Sequence, residues 1–273
     1  MIRGSEFIYD GKAGVSENLR ILSVDGGAID FTTGTPTREP VLYKGNDSSV
    51  WEICGEKIER PLEFDIEFLY INDEEEEYEK RNPYVEDNRV PIINHWLFNQ
   101  VKFKKFQIKT DELRDCYFMS IFTNPTPLKD GGHIIGWKCH CICNCTGCYE
   151  EKKITKVIDG NDEFQINILN DGIFEVSPTY EILANESYIA VGVGSDRNVN
   201  ANNALILNNM QSGSTITIDT QKLIVTSSVG QELYRSGVFN KKFPKLKWGK
   251  NYIIVYGSCT ITIKYSVIKE VGY

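Results

Sequence analysis

A cluster of thiols near the middle of the chain has the residue types needed for chemistry. The segment KCHCICNCTGCYEEK, residues 138–152, holds five cysteines and His140 between Cys139 and Cys148. Cysteine and histidine are the common ligands of tetrahedral zinc, and two cysteines can form a disulfide. A β-strand can also use cysteine as a small buried residue. These three alternatives predict a metal site, a redox-active module or a structural element.

Other catalytic patterns are absent from the sequence. None of the three histidines, His95, His133 and His140, stands in a recognisable nucleophile motif. Gly192 and Gly194 in VGVGSDRN have neither the third glycine nor the helical flank of a dinucleotide fingerprint. We therefore predict no enzymatic activity and no cofactor.

Composition limits the partners. The chain has 273 residues, 41% of them hydrophobic, enough for a normal core and for two domains. It contains no apolar run of about 20 residues, and its start, MIRGSEFIYDGKAG, has no apolar secretory stretch. We expect folding in a reducing cytoplasm and no membrane partner.

The charge pattern argues against nucleic-acid recognition. The formal net charge is −8, whereas proteins that neutralise phosphates need clustered basic residues. The two lysine-rich stretches, residues 101–109 and 239–250, alternate lysine with apolar residues at strand spacing. We interpret these lysines as the solvent face of sheets and predict no sequence-specific nucleic-acid partner.

Most of the chain has the alternation and β-branched enrichment of strands, so the predicted fold class is mainly β with minor helix. The clearest case is PLEFDIEFLYI, residues 61–71. One face carries Leu62, Phe64, Ile66 and Phe68, and the other, interpreted as exposed, carries Glu63, Asp65 and Glu67.

One helix is predicted over residues 88–99, capped by Asp87 or Asn88 with Pro91 in its first turn. Its apolar face consists of Ile92, Ile93, Trp96 and Leu97.

Several segments together resemble a known family. FIYDGKAG, RPLEFDIEFLY, INHWLFNQ, FKKFQI, GWKCHCIC and FNKKFPKLKWGKNYIIVYG follow one another in this order. Their order and spacing resemble the distal tail proteins of long-tailed, non-contractile bacteriophages, and the resemblance covers almost the whole chain.

The resemblance implies a fold and a function. Residues 1–135 would form a β-sandwich with one helix and a projecting hairpin, the belt, and residues 136–273 a galectin-like β-sandwich. Six copies would form a hub ring in the virion tail tip. The ring would join the tail tube protein to the tail-tip protein, with receptor-binding proteins as further candidate partners, and would let DNA pass through its channel.

The belt is expected at about residues 29–51, where proline suits edge positions whose amide need not donate. An ordinary loop is the alternative for this segment. The candidate contacts to the neighbouring subunit are Phe31, Thr35, Pro36, Pro40, Val41 and Tyr43.

A rival function is carbohydrate binding, as host-receptor adhesion through the C-terminal sandwich. Trp248, at a turn before Gly249, is the candidate that would stack on a sugar.

The resemblance also places the cysteine run on a strand. One face then carries Trp137, Cys139, Cys141, Cys143 and Cys145, where the cysteines would serve as small core residues. Same-face neighbours lie ~6.6–6.8 Å apart at Cα, whereas a disulfide needs Cβ atoms ~3.8 Å apart. We therefore predict no metal ion in this run. Only CTGC, Cys145 to Cys148, turns enough for a disulfide, or for half of a metal site completed by His140 or a distant cysteine.

Overall fold

The computed structural model describes residues 5–24, 38–44, 50, 52–58, 61–71, 84–111, 113–159, 163–194, 204–234 and 237–270. The chain forms two compact units. Unit 1 comprises Met1–Tyr149 with Glu270–Tyr273, and unit 2 comprises Glu150–Lys269.

Unit 1 contains nine strands and one helix in its described part. They are β1 (Glu6–Tyr9), β2 (Lys12–Ala13), β3 (Leu19–Val24), β4 (Arg38–Tyr43), β5 (Glu52–Ile58), β6 (Glu63–Tyr70), α1 (Val90–Phe98), β7 (Lys104–Lys109), β8 (Cys116–Asp130) and β9 (His133–Cys143), with a 3-10 turn at Gly14–Glu17. The predicted boundary at residues 135/136 falls inside β9. This strand pairs on both sides with strands of unit 1, β6 and β8, so the division between the units comes later, after Tyr149.

The main sheet of unit 1 closes on itself. Its antiparallel order is β2–β1–β7–β8–β9–β6–β3. Ser5, just before β1, bridges to Ile21 of β3 through two backbone hydrogen bonds of 2.9 Å. The six longer strands therefore pair in a ring, the arrangement of a small barrel whose interior is filled by side chains.

Alternation along the strands fills this interior. Leu62, Phe64, Ile66 and Phe68 are all buried, as the period of two predicts. Their aromatic rings pack against those of neighbouring strands at centroid distances such as 5.3 Å for Phe68 and Phe122. The predicted hydrophobic face of β6 is confirmed.

The helix α1 is held against the barrel by packing and by polar contacts. Ile93 and Leu97 are buried, as predicted, but Ile92 is 55% exposed. The Trp96 indole nitrogen donates to the Tyr9 carbonyl oxygen at 3.2 Å, and Arg89, just before the helix, pairs with Glu17 at 2.6 Å. The helix starts two residues later than predicted. Among the described residues, no helix is long and apolar enough to cross a membrane.

Unit 2 is a sandwich of two antiparallel sheets. The strands are β10 (Cys148–Ile158, which begins just before the unit), β11 (Phe164–Asn170), β12 (Thr179–Ala184), β13 (Ile189–Gly194), β14 (Leu205–Leu207), β15 (Thr215–Asp219), β16 (Ile224–Ser227), β17 (Gly249–Tyr256) and β18 (Cys259–Lys269). One sheet has the order β16–β15–β12–β18–β10 and the other β11–β17–β13–β14.

One core lies between these two sheets. Ile182 and Ile261 from the first sheet and Val191 and Ile253 from the second are all buried in the same cluster. The mainly β fold class with one short helix is thus confirmed for the described residues.

A glycine in β9 supplies a test of the tight pairing in unit 1. A Cβ at Gly136 would lie 2.1 Å from the Phe68 carbonyl oxygen, so Gly136→Ala must push β9 away from β6. We expect it to lower the free energy of unfolding of unit 1 by about 2 kcal/mol, measured by urea denaturation followed by circular dichroism.

Gly132→Ala is the matched control. Nothing lies within 4 Å of a Cβ added there, although φ is +91°. This substitution should cost less, about 1 kcal/mol, from backbone strain alone. Equal losses for both variants would contradict the steric argument.

Candidate assembly interface

Strands β4 and β5 form a separate two-stranded antiparallel sheet. Their register runs from Arg38 opposite Ile58 to Tyr43 opposite Glu52, with an irregularity between Val41 and Leu42. Within the described part of the chain, this hairpin pairs with no other strand. Two-stranded sheets are marginally stable alone, and each outer edge offers backbone groups to another strand.

The hairpin exposes apolar side chains. Val41, Leu42, Tyr43 and Ile53 are 47%, 50%, 60% and 70% exposed, and Val50 between the strands is 63% exposed. Contiguous exposed apolar residues on an unpaired edge are typical of a surface that binds another protein. We call these five residues the hairpin surface.

The predicted belt residues fall in two groups. Pro40, Val41 and Tyr43 lie on β4, where Pro40 stands opposite Glu56. Phe31, Thr35 and Pro36 lie outside the described residues. The predicted arm ended at residue 51 and so missed β5, which contributes Ile53. The β-branched residues at both ends of EICGEKI were a signal that could have found this strand.

The cysteine run lies mostly in the core of unit 1. Trp137, Cys139, Cys141 and Cys143 are buried on one face of β9, which confirms the predicted alternation up to Cys143. The strand ends there, and Cys145 is half-buried, with its thiol donating to the Gly147 carbonyl oxygen at 3.1 Å. All eight cysteines are free thiols.

Thiol pairs do approach one another in this region. The Cys143 thiol has Cys141 as a neighbour, and the Cys148 thiol has Cys116 at the start of β8. These contacts, with burial, raise the pKa of both Cys143 and Cys148. A raised pKa keeps the thiol protonated, and a protonated thiol is a poor nucleophile and metal ligand.

The metal-site alternative of Cys145, Cys148 and His140 is not assembled as a group. Among the described residues, no three His, Cys, Asp or Glu side chains are arranged to hold a metal ion. His140 contacts carboxylates instead. Its Nδ1 lies 2.9 Å from Asp65 Oδ1 and its Nε2 lies 3.3 Å from Glu63 Oε2.

The polar face of β6 is therefore a ladder of charge pairs with β9. Lys138 lies 3.7 Å from both Asp65 and Glu67. Partial burial acts to lower the pKa of His140, but its bonds to Asp65 and Glu63 outweigh this and raise the pKa. The acidic face of β6, which was predicted to be exposed, is thus half-buried and paired with basic side chains.

Trp248 lies in unit 2, immediately before Gly249, with 74% of its surface exposed. Its position fits the predicted turn, since Gly249 has a φ of +84°.

Comparison with protein-family models identifies the class of protein to which this chain belongs. Residues 2–145 match the family model described as phage tail protein N-terminal domain, and residues 147–265 match the phage tail C-terminal domain. The chain belongs to this family of phage tail proteins. No curated protein matches the chain.

Solved structures extend the comparison to the fold. The Dit protein of phage SPP1, described as a paradigm of the hub adsorption apparatus of phages that infect Gram-positive bacteria, is similar with a TM-score of 0.65 at 12% identity, over 97% of this chain and 100% of that one. A chain of the phage P2 baseplate, in its activated conformation with Ca, is similar with a TM-score of 0.51 at 11% identity, over 95% of this chain and 97% of that one. The resemblance to distal tail proteins is confirmed as a likeness of fold.

The charge ladder predicts a pH-dependent stability. Because the folded pKa of His140 is raised, its contribution is fully present below the unfolded pKa of ~6.5 and is lost as pH rises through the higher folded value. The wild-type free energy of unfolding should therefore fall from pH 6 to pH 8, by less than about 1 kcal/mol for a partly exposed pair. Urea denaturation at both pH values measures this.

His140→Gln should abolish that fall. His95→Gln is the control, since the His95 ring contacts the Asn99 amide rather than a carboxylate. A fall that persists in His140→Gln would contradict the assignment.

The burial of the thiols predicts their reactivity. Cys54 is exposed, whereas five cysteines are buried, so Ellman's reagent at pH 8 should modify Cys54 fastest. Cys54→Ser should remove that fast phase, and in guanidinium all eight thiols should react. Fewer than eight in denaturant would reveal a disulfide and contradict the free-thiol assignment.

Proposed function

We propose that this chain is a distal tail protein. Six copies form a hub ring in the tail tip that joins the tail tube to the tail-tip protein and lets DNA pass through the channel. The hairpin surface carries the proposal: it belongs to an apolar sheet that pairs with no other described strand, on a phage tail protein with a Dit-like fold.

In this proposal the hairpin is the belt, and each copy lays it on the next copy around the ring. Head-to-tail contacts of this kind close into a ring when the rotation between copies allows it. Burying the hairpin surface supplies apolar contact area, and its outer strand can add to a sheet of the neighbour. The candidate contacts are Val41, Leu42, Tyr43, Val50 and Ile53, with Pro40 and with Phe31, Thr35 and Pro36 from the sequence.

The proposed role is structural rather than enzymatic. The buried thiols with raised pKa values and the histidine paired with carboxylates have structural roles in unit 1. The net charge of −8 suits a DNA channel, because phosphates are repelled rather than bound. Tail tube, tail-tip and receptor-binding proteins are the proposed partners.

A second candidate function is carbohydrate binding by unit 2, proposed to have a galectin-like sandwich. The exposure of Trp248 favours it, because an exposed aromatic face can stack on a sugar ring.

The ring is tested by the double variant Val41→Asp/Ile53→Asp. Buried carboxylates at the contact should raise the dissociation constant of the ring by at least about 100-fold. Both side chains are exposed in the single chain, so the melting transition should not change. Light scattering after gel filtration and negative-stain microscopy, with tail tube protein present, measure the assembly.

Val101→Asp/Val157→Asp is the matched control, since these valines are 95% and 61% exposed outside the hairpin. It should keep the rings. A wild-type chain that stays monomeric and does not bind its own tail tube protein would overturn the proposal.

A further inference from the structure

A basic segment of unit 2 is an exposed loop rather than the strand predicted for it. Residues 240–247 are irregular apart from a bridge between Leu246 and Val176, and β17 begins only at Gly249. Two contacts anchor this loop to the core: Leu246 is buried, and the Tyr180 hydroxyl donates to the Pro244 carbonyl oxygen at 3.2 Å. Lys245 lies between these anchors and the other lysines flank them, and all five are exposed.

The exposed residues of this loop form a distinctive surface. We call them the lysine–tryptophan patch: Lys241, Lys242, Lys245, Lys247, Trp248 and Lys250, all exposed. Only one acid is paired with the patch among the described contacts, Glu175, which lies 3.2 Å from Lys245. Five lysines within ten residues contrast with the net charge of −8 of the chain.

Two buried asparagines hold the C-terminal part of the patch, around Lys247 and Gly249. The Asn170 amide donates to the carbonyl oxygens of Phe174 and Lys247 at 2.8 and 3.2 Å. Asn251 accepts from the Lys247 backbone nitrogen at 2.9 Å and donates to the Lys247 and Gly249 carbonyl oxygens at 2.7 and 3.0 Å. A preordered loop loses little entropy on binding, so it is suited to hold a ligand.

We propose that the lysine–tryptophan patch binds an anionic glycan, a polymer of sugar or alditol units joined by phosphodiesters. The indole face of Trp248 stacks on a sugar ring, and the ammonium groups of the lysines bind the phosphates as point charges. Lys245 and Lys247 flank buried Leu246 and lie on one side of the loop, where they can reach successive phosphates. This role does not depend on ring formation.

The composition of the patch favours such a polymer over two other polyanions. Protein interfaces are depleted in lysine, and acidic peptides are commonly held by arginine, which the patch does not contain. Single-stranded nucleic acid binds to several aromatic residues that stack successive bases. The patch offers one tryptophan.

The test uses the full chain and a glucosylated poly(ribitol phosphate), measured by isothermal titration calorimetry. Binding should weaken roughly 50-fold between 50 and 200 mM salt if about four phosphates are contacted. Removing the glucosyl groups from the polymer, or Trp248→Ala, should each weaken binding about tenfold. Lys242→Glu/Lys247→Glu/Lys250→Glu should abolish it.

Lys129→Glu/Lys153→Glu/Lys156→Glu is the charge-matched control, since these lysines are exposed outside the patch, and it should retain most of the binding. No binding by the wild-type chain would overturn the proposal. So would equal binding of polyglutamate or oligo-dT, or loss of binding in the control. Binding of a neutral glucan with no effect of the patch lysines would support the sugar-only function instead.

Discussion

The ring of backbone pairing in unit 1 is the constraint on which the rest of this unit depends. Six strands pair in a circle that the Ser5–Ile21 bridge closes, so each of them has a pairing partner on both sides. Closure of a sheet removes the edges through which strands associate. The β4–β5 hairpin is outside this ring, and its apolar side chains remain exposed. The closed sheet therefore does not include the hairpin, which we propose as the surface through which the unit assembles.

The interior of the closed sheet explains the cysteines. Space inside a small barrel is limited, and its β9 wall faces large aromatic rings such as Phe122 and Tyr9. Cysteine is small, apolar and polarisable, so it fills such positions without a buried polar group. Desolvation there raises the pKa of Cys139 and keeps the thiol protonated. The cluster that could have carried metal or redox chemistry is part of the packing.

The net charge of −8 conceals different local patterns of charge in the two units. In unit 1 the acids of β6 are matched by Lys138 and His140, so this ladder is nearly balanced locally. In unit 2 the lysines of residues 241–250 are matched by few acids and surround an exposed tryptophan. Local fields of this kind, rather than net charge, determine which polyanion is bound or repelled.

The sequence by itself determined the elements that depend on local periodicity: the alternation of β6, the buried face of β9 and the helix near Pro91. Order and spacing of motifs also indicated the class of fold. Only the tertiary structure decided which strands close into a ring, that β5 completes the hairpin, and that Glu63 and Asp65 are paired with His140. The tertiary structure also shows that residues 240–247, predicted as part of a strand, form a loop. The physical reason is that local alternation reports only which face of a strand is buried. It does not indicate which distant strands pair, or which loops are anchored by buried residues such as Asn170, Leu246 and Asn251.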